Sequence, residues 1–598
     1  MDYAAVRNLP EMFFAQAARL GDKPFLWHKE GGAYRSTSWH GAAIAINRLA
    51  RGLKALGVKP GERVVIVAEN RPEWLISDHA IMAAGGISVP AFTTNTTADH
   101  KHVLTHSGAV GAIVSSKAIA RRLLPAALDA PELRFLVCME DLELGQRPAV
   151  KILGWEHALA RGDAAPDDIE ATVAGLKRED TACFIYTSGT GGTPKAVMLS
   201  HGAMISNCMG AYRLLLDIGL GDEVFLSFLP LSHAYEHTAG QFFPISIGAQ
   251  IYYAESVDRL IDNMAEARPT IVTAVPRLYE VMHQRIVRGI EKTGGMKRRL
   301  FDTALDLGRR KYEAPRSLGL GQRLVDLAAE VLVRRKVRQR FGGRLKAFVS
   351  GGAALHYDIG LFFTALGVRI LQGYGQTEAA PVVSCNLPSR IKLRSVGPTL
   401  EGVEVKIAED GEILVRGELL MQGYWRDPTA TEAALRDGWL HTGDIGMLDE
   451  DGYLHITDRK KDIIVFSGGD NVSPARIESL LILQPEITQA MVHGDKRPHL
   501  VALLVPEEEF LRRWARERGK TADLAALADD AELHRALGAA IDRVNAMLSP
   551  IERIRRYAVA RAPFTVDNGQ MTPSLKIRRH KIREAYGEAL ARLYERGG

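Results

Sequence analysis

Residues 186–195 read Tyr-Thr-Ser-Gly-Thr-Gly-Gly-Thr-Pro-Lys. The apolar run Ala182-Cys-Phe-Ile-Tyr186 leads into them as a buried strand. Beyond it, Gly189, Gly191 and Gly192 let the backbone approach a polyphosphate, while Thr187, Ser188, Thr190, Thr193 and Lys195 supply donors to its oxygens. A Walker A loop also places a lysine after glycines, but it needs Gly-Lys-Ser/Thr running into a helix. Here Lys195 follows Pro194, which has no N–H to give, and precedes Ala196. The loop is a phosphate cradle of a different kind from that of the P-loop NTPases.

Outward from this loop, strand and helix patterns alternate. Trp39 to Leu56 reads as an amphipathic helix and Arg63-Val-Val-Ile-Val as a strand buried on both faces. The strand pattern repeats at Val110-Gly-Ala-Ile-Val, Glu223-Val-Phe-Leu-Ser-Phe, Gln250-Ile-Tyr-Tyr and Thr270-Ile-Val-Thr-Ala-Val. Such alternation predicts an α/β fold of mostly parallel sheets flanked by helices. A basic helical segment from about 285 to 346 interrupts it as an insertion. After about 395 the texture changes to short strands and Gly/Asp turns (Val403-Glu-Val-Lys-Ile, Asp410-Gly, Glu412-Ile-Leu-Val-Arg), which predicts a small β subdomain to about 458. Residues 1–458 then form a large N-terminal domain, and 459–598 a smaller α+β C-terminal domain.

Composition bounds the class. With 46% hydrophobic and 25% charged residues in 598, the chain is an ordinary globular protein, not a disordered, collagenous or coiled-coil one. The longest candidate span, Ile81 to Phe92, carries two glycines and a proline and falls short of the ~20 apolar residues a bilayer needs. The N-terminus lacks a basic start followed by a long apolar core, so no secretory signal is expected. Cys138, Cys183, Cys208 and Cys385 have no paired spacing, which suits a reducing, cytoplasmic setting. Charge is concentrated: residues 285–346 sum to +12 in a chain of net +5. There the basic residues alternate with Leu324, Leu327, Ala328 and Val331 at helical spacing, which reads as a solvated helix face. Contact with an anionic membrane or a phosphate-rich ligand is the other option. No nucleic-acid motif accompanies the charge, so no nucleic-acid partner is expected.

Further motifs follow the phosphate loop in order: Pro230-Leu-Ser-His-Ala-Tyr-Glu236, Ser350-Gly-Gly-Ala-Ala-Leu, Gly373-Tyr-Gly-Gln-Thr-Glu378, Gly438-Trp-Leu-His-Thr-Gly-Asp444, Asp458-Arg-Lys-Lys-Asp-Ile-Ile, Gly468-Gly-Asp-Asn-Val-Ser-Pro474 and Thr572-Pro-Ser-Leu-Lys-Ile-Arg-Arg. Together with the loop they resemble the motifs of the AMP-forming adenylating enzymes: acyl-CoA synthetases, luciferases and peptide-synthetase adenylation domains. The resemblance covers essentially the whole chain. Gly191 stands where that family usually has Thr, Ala196 where it has Gly, and Gln376 where it has Leu or Met.

By itself Asp444 reads as a turn aspartate, Glu378 as a loop carboxylate, Tyr374 as core and Lys576 as part of a basic face. The resemblance implies otherwise. Asp444 accepts from the ribose hydroxyls with Arg459 supporting the nucleotide; Tyr374 stacks on adenine; Glu378, with Thr190, ligates Mg²⁺ beside Thr377. His233 lies on the acyl side. Lys576 stabilises charge between carboxylate and α-phosphate. Gly352, Ala353, Gly373, Gly375, Gln376 and Ile456 complete the nucleotide site. Lys461 is the pivot of a mobile C-terminal domain, and Gly468 and Gly469 border the thiol channel. Asp462 and Glu478 are read as structural.

The implied reaction uses ATP, Mg²⁺ and CoA. A carboxylate attacks the α-phosphate to give acyl-AMP and pyrophosphate, and a thiol displaces AMP, with no protein nucleophile required. The insertion at 285–346 and the Thr572-Pro-Ser-Leu-Lys ending resemble the long-chain fatty acyl-CoA synthetase branch. A long acyl chain needs an apolar tunnel worth about 0.8 kcal/mol per buried CH₂. Candidates for its lining lie in His233–Phe243 and Gly351–Phe363. The alternatives are a fatty acyl-AMP ligase that loads a carrier protein, or a ligase for a medium-chain or aryl acid. Peripheral attachment at the inner membrane face and a homodimer are left open.

Overall fold

The computed structural model describes residues 1–140, 150–187, 193–315, 317–460, 463–467, 471–572 and 577–595. Two eight-stranded sheets form its bulk. The first runs, in spatial order, Val382–Cys385, Ile370–Gly375, Ala347–Ser350, Ile271–Ala274, Val224–Ser227, Gln250–Tyr253, Pro24–Glu30 and Ala33–Ser38. The second runs Gly423–Tyr424, Lys195–Ser200, Thr181–Thr187, Ile87–Pro90, Arg63–Val67, Ala109–Val114, Phe135–Cys138 and Lys151–Gly154. Central pairs are parallel and the hairpins lie toward the edges. Arg63–Val67 shows why: four of its five residues are buried, so alternation vanishes as it must where helices cover both faces. The helix Trp39–Ala55 matches its periodicity and starts where the Ser38 hydroxyl accepts from the Gly41 N–H.

A five-stranded sheet follows, from Glu404–Ile407 to Leu454–Arg459, and then a three-stranded sheet of Ile487–His493, Leu500–Pro506 and Ile554–Val559 with its own core around Trp514, Leu533 and Ile541. Glu478 anchors that C-terminal unit: its carboxylate takes both Arg579 Nη atoms at 2.5 and 2.6 Å and the Val492 N–H at 2.7 Å. Among the described residues several groups link the unit to the rest. Arg288 pairs with Glu507 and Glu509, Arg277 donates to the Thr488 hydroxyl, and Leu483 packs on the core beneath the helical insertion.

The insertion consists of helices Pro276–Thr293, Gly295–Glu313 and Leu320–Ala329, the last continued through a π-helical turn Glu330–Arg334 into Arg335–Arg340. In the third helix Leu324, Leu327, Ala328 and Val331 face outward, and the buried side is held by Asp326, Ala329, Val333 and Arg334. Arg334 earns its burial with an ion pair to Asp326 at 2.6 Å and donation to the carbonyls of Ala304 and Ala365. No helix among the described residues is long and apolar enough to cross a membrane. Residues 81–92 divide between the end of helix Pro72–Ala83, a turn and strand Ile87–Pro90.

Candidate active site

Strands Val224–Ser227, Ile271–Ala274, Ala347–Ser350 and Ile370–Gly375 run parallel. The loops after their C-terminal ends therefore open on one edge, the place where open α/β sheets bind ligands. Those loops carry His233, Gly352, Ala353 and Gln376. Tyr235 ties two of them together: its hydroxyl donates to the Val349 carbonyl at 2.8 Å, and its ring lies against Gly351, where a Cβ would sit 3.0 Å from it. His233 Nδ1 accepts from the Tyr235 N–H at 3.2 Å, so in the neutral ring the proton is on Nε2.

Gly373-Tyr-Gly375 ends its strand against the antiparallel Val382–Cys385. A side chain at 375 is impossible, because its Cβ would lie 1.8 Å from the Pro381 carbonyl oxygen. The tight return through Ala380, at φ 56°, lets the Gln376 N–H reach that same oxygen and sets residues 377–379 in a single 3₁₀ turn. Thr377 is buried in it, and Glu378 faces the second sheet. There the Glu378 carbonyl accepts from the Met421 N–H, and Oε1 accepts from the Tyr424 hydroxyl at 2.8 Å. Burial and the Glu378 carboxylate push the Tyr424 phenol far up, so it remains a donor. Lys195 completes this corner, with Nζ 3.4 Å from Asp427 Oδ2 and 4.9 Å above the Tyr424 ring. Thr187 pairs directly with Lys195 across a hairpin. The phosphate loop thus returns as an antiparallel strand, where a Walker loop would continue as a helix.

Asp444 comes from the third sheet. The Tyr374 hydroxyl donates to its Oδ2 at 2.6 Å and Arg459 Nε donates to its Oδ1 at 3.0 Å. Arg459 is its cross-strand partner in the ladder. A carboxylate has about four lone-pair sites, and the described side chains use one on each oxygen. The turn before it is fixed by Glu412, which accepts from the Gly443 N–H at 2.8 Å and pairs with Lys460 at 3.3 Å. These contacts and its other partners hold the Glu412 carboxyl below its ordinary range despite burial. Ile456 is half-buried on the neighbouring strand, two residues past Leu454.

The structure thus brings together Thr187, Lys195, Tyr374, Gly375, Gln376, Thr377, Glu378, Asp444 and Arg459 where three sheets meet. Ser188, Gly189, Thr190, Gly191, Gly192, Lys461, Gly468, Gly469 and Lys576 lie outside the described residues, as does Asp462. Thr193 is exposed at the foot of the hairpin. Among the described residues no three His, Cys, Asp or Glu gather as a metal cage. A Glu378 carboxylate with one oxygen already accepting suits Mg²⁺, which takes one or two protein oxygens and completes its shell with water and substrate phosphate. All four cysteines are buried. Burial raises the Cys183 and Cys208 thiols strongly and that of Cys385 to about 12, so these three are not poised as nucleophiles.

Residues 13–425 match the family model described as AMP-binding enzyme, and residues 461–598 match the AMP-binding enzyme C-terminal domain. The chain belongs to the AMP-binding enzyme family. It is 34% identical over 562 residues to the long-chain-fatty-acid–CoA ligase FadD15 of Mycobacterium tuberculosis, spanning 93% of this chain and 92% of that one. To the peroxisomal long chain acyl-CoA synthetase 6 of Arabidopsis thaliana it is 31% identical over 593 residues, 95% and 82% of the two chains. Among solved structures, the A domain of the carboxylic acid reductase of Segniliparus rugosus with AMP and a co-purified carboxylic acid superposes with a TM-score of 0.76 at 21% identity. That match covers 98% and 94% of the two chains and establishes the fold.

Within this AMP-binding enzyme, three site groups escape sequence reading. Tyr424 ends a two-residue strand, Asp427 caps the short helix Pro428–Ala434 and Glu412 opens a strand, places where no periodicity marks a site residue. A fourth, Glu236, closes the His233 motif. It begins a π-helical turn, Glu236–Phe242, and is fully buried. Its oxygens accept from the hydroxyls of Ser227 at 2.7 Å and Thr273 at 2.6 Å, on two adjacent parallel strands. Its own helix makes room for the carboxyl at Gly240, where a Cβ would approach Cδ to 2.4 Å. Burial pushes the Glu236 carboxyl up to about 7.

A raised carboxyl pKa means that the folded state holds the proton more tightly than the unfolded chain, whose glutamate titrates near ~4.3. The stabilisation from Glu236 is complete below that value and is lost as pH rises through about 7. Glu236→Gln is neutral at every pH. It is expected to match the wild type at pH ~4 and to exceed it at pH ~8 by up to the order of 3 kcal/mol. Thermal midpoints of both proteins across that range check this; a difference that does not vary with pH refutes it.

Proposed function

We propose that this protein is a long-chain fatty acid–CoA ligase. It joins a fatty acid to ATP as acyl-AMP with release of pyrophosphate, then transfers the acyl group to the CoA thiol with loss of AMP. The observation that carries the reading is Asp444, pinned by Tyr374 and Arg459, with one hydrogen bond to each oxygen from a side chain among the described residues. That geometry recognises the paired hydroxyls of a ribose.

The rest of the constellation fits the first half-reaction, in which a carboxylate must approach a polyphosphate. Lys195 and the hydroxyls of the 187–193 loop gather positive charge and donors, with Lys576 as the cation between carboxylate and α-phosphate. Mg²⁺, held at Glu378 with Thr190, would neutralise phosphate charge. Gly352, Ala353 and the Tyr374 ring bound the base, and His233 and Gln376 face the acyl side. Gln376 Nε2 is buried with no hydrogen-bond partner among the described residues, a donor available to an acyl oxygen. For the second half-reaction, residues 459–598 pivot at Lys461 and bring Gly468 and Gly469 to the thiol. Exposed ion pairs such as Arg288–Glu509 contribute about 0–1 kcal/mol each, so breaking them opposes that motion little.

The acyl class rests on the basic helical insertion and on the relatives' names. Of the segments named as tunnel lining, Phe362 and Phe363 support the reading least, because both are packed in the core with Phe301 and Tyr279. The cytoplasm, its membrane face and a homodimer remain compatible settings. The test is pyrophosphate release with ATP, Mg²⁺ and acids from acetate to oleate, with and without CoA. Continuous release that needs CoA and peaks at long chains is expected. A single equivalent released despite CoA points to a carrier-protein acceptor, a peak at short or aryl acids moves the acyl class, and no release with any acid overturns the reading.

A further inference from the structure

The helical run from Leu320 to Arg340 has a built inner side and an anomalous outer one. On the outer side Leu320, Leu324, Leu327 and Val331, spaced four, three and four residues apart, are 81%, 71%, 65% and 54% exposed. Val325 and Leu332 widen the stripe. Single exposed leucines are ordinary, but a row at helical spacing is a contiguous apolar face. Cations border it: Arg323 lies within the row, and Arg335, Lys336 and Arg340 are exposed just beyond Val331. The segment that carries the face sums to +12.

We propose that this face docks on an anionic lipid bilayer, its leucines entering the headgroup–acyl boundary and its cations meeting the lipid phosphates. Amphipathic helices with basic borders bind such surfaces in the interface plane. A second copy of the chain is the weaker occupant, since a symmetric contact here sets two strongly basic segments against each other. The proposal rests on the proposed function only for its purpose, access to a substrate dissolved in membrane. Binding is therefore read apart from turnover.

The experiment is co-sedimentation of the full chain with vesicles of phosphatidylcholine alone or mixed with phosphatidylglycerol. The wild type is expected to partition onto the mixed vesicles and to be released by salt. L324E/L327E is expected to weaken that partition by about tenfold or more, and R335E/K336E by a similar factor. All four positions are exposed, and pyrophosphate release with a soluble acid is expected to stay within about twofold, showing that both variants are folded. Equal binding of the variants and the wild type overturns the proposal. So does absence of vesicle binding, including the case in which sedimentation velocity shows a dimer that L324E/L327E dissociates.

Discussion

Asp444→Ala is expected to lower kcat/KM for ATP by about 10²–10³-fold. The carboxylate offers the ribose two acceptor sites, and charged hydrogen bonds contribute roughly 1.5–3 kcal/mol each. Its loss also strips Arg459 and the Tyr374 hydroxyl of their shared partner, so the ring loses its fixed orientation. Asp444→Asn keeps the shape and one acceptor, and is expected to fall between the two. Tyr374→Phe removes only the pinning bond, with an expected loss of a few-fold. Initial rates at varied ATP and saturating acid separate these outcomes. An alanine variant with unchanged ATP dependence removes the ribose assignment, whatever happens to overall turnover.

Lys576→Ala is expected to slow adenylate formation by about 10²–10³-fold, the usual loss when one preorganised donor to developing charge is removed. Its signature is the partition between half-reactions. Thioester formation from supplied acyl-adenylate and CoA stays within a few-fold, because no new anion then approaches the phosphate. Pyrophosphate release measures the first step and CoA consumption the second. Equal losses in both make Lys576 a structural residue of the basic C-terminal stretch.

The strand–helix order, three strands in each eight-stranded sheet (63–67, 109–114 and 181–187; 224–227, 250–253 and 271–274) and the hairpin texture after residue 395 were legible because buried parallel strands and tight turns leave local signatures. The motif residues Tyr374, Glu378, Asp444 and Arg459 were legible through the family resemblance, and the structure places them within one junction. Tyr424 was not, although its hydroxyl donates to the Glu378 carboxylate at 2.8 Å. It lies 46 positions from its partner, on a two-residue strand that owes its place to pairing with Lys195–Ser200. Glu236 stood inside a quoted motif, yet nothing local distinguishes a carboxyl held by Ser227 and Thr273 from a solvated one.

The insertion shows the same limit in packing. Its helical periodicity and its charge were plain, but an amphipathic pattern with apolar residues on two sides does not state which side the core takes. The tertiary structure chose the side where Arg334 meets Asp326 and two carbonyls, and left the leucines outside. What the sequence determined by itself was therefore the local chemistry: which segments form strands, where a backbone must be glycine, and which motif side chains have charge or hydroxyl to offer. Which of those groups meet was decided only when the sheets packed, because contacts between residues 37 to 70 positions apart depend on layer geometry and leave no trace in spacing.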